Sequence, residues 1–180
     1  MRDRAMLESL YATGMRVSEL VALDVGDFDV ESQTVILARQ GSRKRSVPLT
    51  DRAAEALHMY VTDGRVKLLR RVDEHAVFLN HRGNRLTRQG FWLIVKAYAR
   101  RAGIEATITP HTLRHSFATH RLQGAGTLRE VQAILGHASP ATTKIYEDLA
   151  RESRGRSSQG LDRTVVDGRI AEIDIGNPRE

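Results

Sequence analysis

Two arginines, two histidines and a tyrosine stand out by type and order. Arg16 sits in Ala12-Thr-Gly-Met-Arg16-Val-Ser-Glu-Leu20, and His111-Thr-Leu-Arg114, Leu135-Gly-His137 and Tyr146 follow in the second half. Such a set suits attack on a phosphodiester. When an oxygen nucleophile adds to a DNA phosphate, the non-bridging oxygens carry more negative charge in the transition state than in the ground state. Guanidinium forks match those oxygens in pairs and keep their charge at working pH. Arg16 and Arg114 would act as a preorganised electrostatic clamp.

A phenol has an unperturbed pKa of about 10, so only about one in a thousand is ionised at neutral pH, a deficit of roughly 4 kcal/mol. A neighbouring base must offset it. His111 and His137 are the candidates, because imidazole titrates near neutrality. His111 and His115 are spaced as a metal-binding pair. Position 112 is Thr where a zinc hydrolase places a Glu, and no further ligand follows at suitable spacing, so no metal is expected.

The early "ATGxRxSEL" segment, the HxxR, the "LGH" and a tyrosine nine residues beyond that histidine together resemble the tyrosine recombinase (phage integrase) family, nearest the Xer type. The resemblance runs from about Arg2 to about Ala150. It implies a site-specific recombinase that cleaves DNA through a 3′-phosphotyrosyl link, with no cofactor. Tyr146 would be the nucleophile, Arg16 and Arg114 the clamp, His111 the proton acceptor and His137 a donor to a non-bridging oxygen. The family's partners would be double-stranded DNA and further copies of itself or a related recombinase on that DNA. A DNA-binding regulator built on a helix-turn-helix of Leu128 to Leu135, a Gly136 turn and a helix from Pro140, or an inactive truncated recombinase, is the competing reading.

The family also protonates the leaving 5′-oxygen with a hairpin lysine, and here the pattern departs. Counting back from Val47-Pro48-Leu49 places Arg43 at that lysine's position and Lys44 one residue later. Arginine is a poor proton donor, its pKa exceeding about 12, so Lys44 is the expected general acid. The family usually carries an additional N-terminal DNA-clamping domain, and this chain begins with the catalytic one.

The elements that must position these residues are legible in part. Residues 2–13 have apolar positions at helical spacing and Gly14 as a stop, and Ser18 is a candidate N-cap for a short second helix. Taken alone, Arg16 in that junction reads as a surface arginine. Strands are expected around 28–30, 34–38 and 46–49. Between the last two, residues 39–45 form a cationic tip from which Arg43 and Arg45 could reach a DNA backbone. Thr50 or Asp51 caps a helix to about Val61, interrupted at 62–64. Thr87 caps another through Arg101, whose Arg88 could also meet phosphates. Thr109-Pro110 starts the helix bearing His111 and Arg114 on one face.

The expected architecture is α+β, a mostly α-helical catalytic domain over 1–150 with a small antiparallel sheet. A polar tail follows over 151–180, possessing six basic and six acidic residues. The net charge of +6 is uneven: residues 82–121 hold eight Lys or Arg against one acid, Glu105. That flank suits a polyanion, although a solvated helix face is the simpler reading of charge alone. With no cysteine and no long apolar run, a soluble cytoplasmic protein without disulfides or a membrane partner is expected.

Overall fold

The computed structural model describes residues 1–39 and 42–104, together with Ile108, Thr109, Arg114, Phe117, Ala118, Leu122, Thr127 and Val131. Helix α1 (Arg2–Thr13) ends where the sequence places its stop: Gly14 adopts φ 59, ψ 19, and its N–H donates to the Leu10 carbonyl at 2.8 Å. A left-handed residue there satisfies a carbonyl of the last turn, and glycine adopts it without a Cβ penalty. Helix α2 (Val17–Ala22) follows after three residues. Its N-cap is Arg16, while Ser18 lies exposed in the first turn. The expected Ser18 cap is therefore corrected: Glu19, three residues after Arg16, closes the helix start by accepting the Arg16 N–H at 2.7 Å.

The sheet is an antiparallel meander of β1 (Phe28–Asp29), β2 (Thr34–Arg39) and β3 (Ser42–Pro48). The first turn is stapled by Asp29, whose Oδ1 accepts the N–H groups of Glu31 and Ser32 at 2.9 and 3.1 Å. The hairpin differs from expectation, because β3 starts at Ser42 and takes in residues assigned to the cationic tip. Its register sets Val47 opposite Val35 and Arg45 opposite Leu37, with an irregularity between Leu37 and Arg39. Val35, Leu37 and Val47 are buried, so one face of the hairpin lies on the core and Arg45 belongs to it. A strand carries a charge inward when a countercharge waits there, and Glu19 supplies it.

Helix α3 (Asp51–Met59) is capped as expected, the Thr50 hydroxyl accepting the Ala53 N–H at 3.3 Å. The interruption expected at 62–64 is corrected. The helix widens into a single π turn (Tyr60–Gly64) and continues as α4 (Arg65–Leu68). Tyr60 explains the persistence: it is fully buried, stacks on Phe78 at 5.6 Å and accepts the Leu79 N–H at 3.2 Å. Burial pushes its hydroxyl pKa up. Arg65, also buried, donates to the carbonyls of Glu74 and Ala76, tying this turn to the following loop.

Helix α5 (Arg88–Arg101) is capped by Thr87, whose Oγ1 accepts the Gly90 N–H at 3.0 Å, and it ends before Gly103 at φ 66. It lies against α2, and Phe91 and Val95 join one core with Met6, Leu20, Leu57 and Phe78. Arg114, Phe117, Ala118 and Leu122 are helical and buried, at spacings that place them on one helix face. Val131, which is helical and buried, donates its N–H to the Thr127 carbonyl at 3.1 Å. No helix among the described residues is long and apolar enough to cross a membrane. The mostly helical α+β architecture matches the expectation from sequence.

Candidate functional site

The turn joining α1 to α2 positions the site. Gly14 reverses the chain, and the Thr13 hydroxyl donates to the Ser9 carbonyl at 2.6 Å while accepting the Met15 N–H at 3.2 Å. Met15 and Val17 bury their side chains on either side of Arg16. With both neighbours anchored inward, the extended backbone at Arg16 (φ −74, ψ 148) sends its side chain outward, 35% exposed.

The Arg114 guanidinium comes to the same turn from 100 residues away and donates through Nη1 to the Gly14 carbonyl at 3.1 Å. Arg114 is itself buried. The two arginines expected to clamp a phosphate thus converge on one three-residue segment, and both are tied to it by its own chemistry. Arg114 uses a carbonyl that the αL conformation of Gly14 turns away from the helix. Arg16 is held by its own backbone N–H, which donates to Glu19 Oε2 at 2.7 Å.

Glu19 completes the cluster and is the residue that sequence reasoning missed. Its side chain is 4% exposed and touches two guanidiniums. Arg45 binds it in a two-point fork, Nη1 to Oε1 at 2.8 Å and Nη2 to Oε2 at 3.1 Å, while Arg16 Nη1 lies at 3.4 Å from Oε1. Burial works to raise the Glu19 pKa, but the hydrogen bonds and charges of Arg45 and Arg16 outweigh it and hold the carboxyl below its ordinary value. Two guanidiniums, Arg16 and Arg45, share this one carboxylate, and Arg114 reaches the Gly14 carbonyl of the same turn, an arrangement of cations that favours an anion. The signal available in the sequence was the Arg16-x-x-Glu19 spacing, which is an i,i+3 pair as well as a helix start.

The remaining cations divide by face. Lys44 alternates with Arg45 along β3 and is exposed, as are Ser46 and Pro48 on its side of the strand. The structure therefore does not bring Lys44 to Arg16; it puts Lys44 on the face opposite the carboxylate. Arg43 is a backbone member of β3, and its side chain lies outside the described residues, as do His111, His137 and Tyr146. Arg45, which was expected to be able to reach a DNA backbone, holds Glu19. Arg88 is exposed in the first turn of α5. Arg85 serves the fold, donating to the carbonyls of Val21 and Leu23 at 3.0 and 3.3 Å and pairing with Asp24, so the end of α2 is fixed as firmly as its start.

Of the four tyrosines, Tyr60 is enclosed in the core and Tyr98 donates its hydroxyl to Asp3 at 3.2 Å. Neither is placed to act as a nucleophile at the Arg16 turn. Tyr11 is on α1 and Tyr146 in the distal segment.

Residues 1–153 match the model of the phage integrase family. The chain is 50% identical over 175 residues to the tyrosine recombinase XerC of Herpetosiphon aurantiacus, covering 97% of this chain and 56% of that protein. It is also 50% identical over 151 residues to the tyrosine recombinase XerD of Oceanobacillus iheyensis, covering 83% and 51% respectively. Among solved structures, the XerA recombinase superposes with a TM-score of 0.76 at 33% identity, covering 91% of this chain and 58% of that one. The XerH site-specific recombinase in a post-cleavage complex with its palindromic difH substrate gives 0.73 at 28% identity, covering 88% and 45%. The chain spans about half the length of the curated relatives it matches.

Proposed function

The chain belongs to the phage integrase family, and from that premise we propose that it cleaves and rejoins double-stranded DNA as the catalytic part of a Xer-like site-specific recombinase. The observation that carries this reading is the convergence of Arg16 and Arg114 on the Gly14 turn. Two guanidiniums held within one turn meet the electrostatic need of a phosphoryl transition state.

In the proposed reaction the Tyr146 oxygen attacks the scissile phosphorus, its proton passes to His111, and the bond from phosphorus to the 5′-oxygen breaks. Arg16 and Arg114 hold the non-bridging oxygens, and His137 donates to one of them. The product is a 3′-phosphotyrosyl ester and a 5′-hydroxyl. Attack by a partner strand's 5′-hydroxyl on that ester reverses the sequence and returns the proton to Tyr146. One phosphodiester's free energy is kept throughout, so the scheme consumes no nucleotide triphosphate.

Lys44 is the hairpin's lysine and hence the proposed donor to the leaving oxygen. Its outward placement requires β3 to turn at the hairpin end when DNA is bound. Arg43 and Arg88 are proposed backbone contacts; Arg45 acts through Glu19. Half-identity to recombinases named XerC and XerD favours resolution of chromosome dimers over mobile-element integration. It also favours a DNA-bound assembly of several recombinase subunits.

The test is covalent capture. The chain is incubated with a pool of nicked duplexes of randomised sequence, and protein-linked strands are resolved on a denaturing gel and sequenced. A Tyr146-dependent adduct absent in Tyr146→Phe is the expected result. Binding without any adduct would favour a regulator that contacts DNA without strand chemistry.

A further inference from the structure

Glu19 carries one negative charge and faces two guanidiniums, and the division of that charge determines how much of Arg16 is left for a substrate. The geometry is unequal. Arg45 engages both carboxylate oxygens at 2.8 and 3.1 Å from a side chain that is 18% exposed, whereas Arg16 makes one long contact of 3.4 Å from a side chain 35% exposed. Two parallel charge-assisted bonds in a poorly solvated place outcompete one long contact in a wetter one. Glu19 at the same time holds the Arg16 backbone N–H at 2.7 Å, so Arg16 is fixed at its root and loose at its tip.

We infer that Arg45 is a positioning residue for the phosphate clamp: by engaging Glu19 from the hairpin, it leaves the Arg16 guanidinium charged, located and uncommitted, available to a non-bridging phosphate oxygen. The inference rests on the reading above that Arg16 meets the scissile phosphate. Without Arg45, the Glu19 charge would pass to Arg16 and draw its guanidinium back against α2. The hairpin therefore takes part in setting the clamp. Displacing β3 from α2 would weaken the grip of Arg45 and retract Arg16 in the same movement.

A simple staple between α2 and β3 would use the same contacts, and charge removal separates the two accounts. In the 180-residue chain, Arg45→Gln should lower the rate of adduct formation on the nicked-duplex pool by on the order of tenfold. Adding Glu19→Gln should recover much of that loss, because Arg16 then has no carboxylate to retreat to. Arg45→Lys, which keeps the charge but not the fork, should fall between the parent and Arg45→Gln. A staple makes the opposite prediction, since the double variant has lost both ends of the tie and should be no faster than Arg45→Gln.

A second readout needs no catalysis. A double-mutant cycle of Arg16→Gln and Glu19→Gln, followed by urea unfolding, reports the coupling between these two residues. The coupling should be small in the parent and clearly larger in the Arg45→Gln background. Should Arg45→Gln fail to fold, Arg45→Lys serves as the background, with a smaller increase expected. A parent that forms no adduct overturns the recombinase reading, and the cycle alone then decides how the charge is divided. A parent that forms the adduct, combined with no recovery in the double variant or an unchanged coupling, overturns the inference and leaves the recombinase reading intact.

Discussion

Replacing Glu19 tests the site's foundation most directly. Glu19→Ala removes the acceptor of the Arg16 N–H and the countercharge of Arg45 and Arg16 at a position whose side chain is 4% exposed. Breaking a buried ion pair by deleting one partner costs about 3–5 kcal/mol. Both arginines keep some access to water, at 18% and 35% exposure, so the low end applies, about 3 kcal/mol. For a chain of this size that corresponds to a fall in Tm of about 6–12 °C. Glu19→Gln retains an acceptor for the N–H and should lose roughly half as much.

The pH dependence carries a definite sign. The folded-state pKa of Glu19 lies below the ordinary value of 4.5, so its stabilisation is fully present above that value and is lost as pH falls through the depressed one. The stability gap between the parent and Glu19→Gln, measured by urea unfolding, should be constant near neutrality and close in acid. A gap that is absent at neutral pH, or that widens on acidification, would refute the assignment of Glu19 as the charged hub.

Three further substitutions separate site from scaffold. Gly14→Ala forces a Cβ onto a residue at φ 59 and should cost about 1–2 kcal/mol; because Arg114 hangs on the Gly14 carbonyl, adduct formation should fall further than a matched loss of stability from Thr87→Ala produces. Tyr60→Phe removes the hydroxyl that accepts the Leu79 N–H and should cost about 1 kcal/mol in urea unfolding, with adduct formation retained. Lys44→Ala should slow cleavage more than Arg43→Ala, and a 5′-thio leaving group, which needs little protonation, should restore it. Equal rates for Lys44→Ala and the parent would remove Lys44 from the mechanism.

Helix ends were legible because their determinants are local. Gly14, Thr50 and Thr87 act through their own backbone or hydroxyl within one turn, and such signals survive whatever the rest of the chain does. The π turn at 60–64 was not legible, because the buried contacts of Tyr60 with Phe78 and Leu79 hold a segment whose Thr-Asp-Gly composition argues for a break. The hairpin failed for a similar reason. Three successive cations, Arg43 to Arg45, read as a solvated tip unless an internal carboxylate is known to await one of them, and Glu19 lies 26 residues before Arg45.

The same reasoning explains why the proposed clamp was suggested by pattern and its support was not. Arg16 and Arg114 announce themselves through residue type, since a guanidinium is what an oxyanion needs. Glu19 carries the sign opposite to that of a phosphate ligand, and a search for phosphate chemistry passes over it. Yet a bare pair of converging arginines would repel each other and be drawn toward whichever carbonyl or carboxylate lay nearest. The Gly14 carbonyl restrains Arg114, and Glu19 restrains Arg16 through a backbone N–H while its charge is taken up by Arg45. Preorganisation at this turn therefore depends on one acid placed where it fixes the position of a cation without neutralising it.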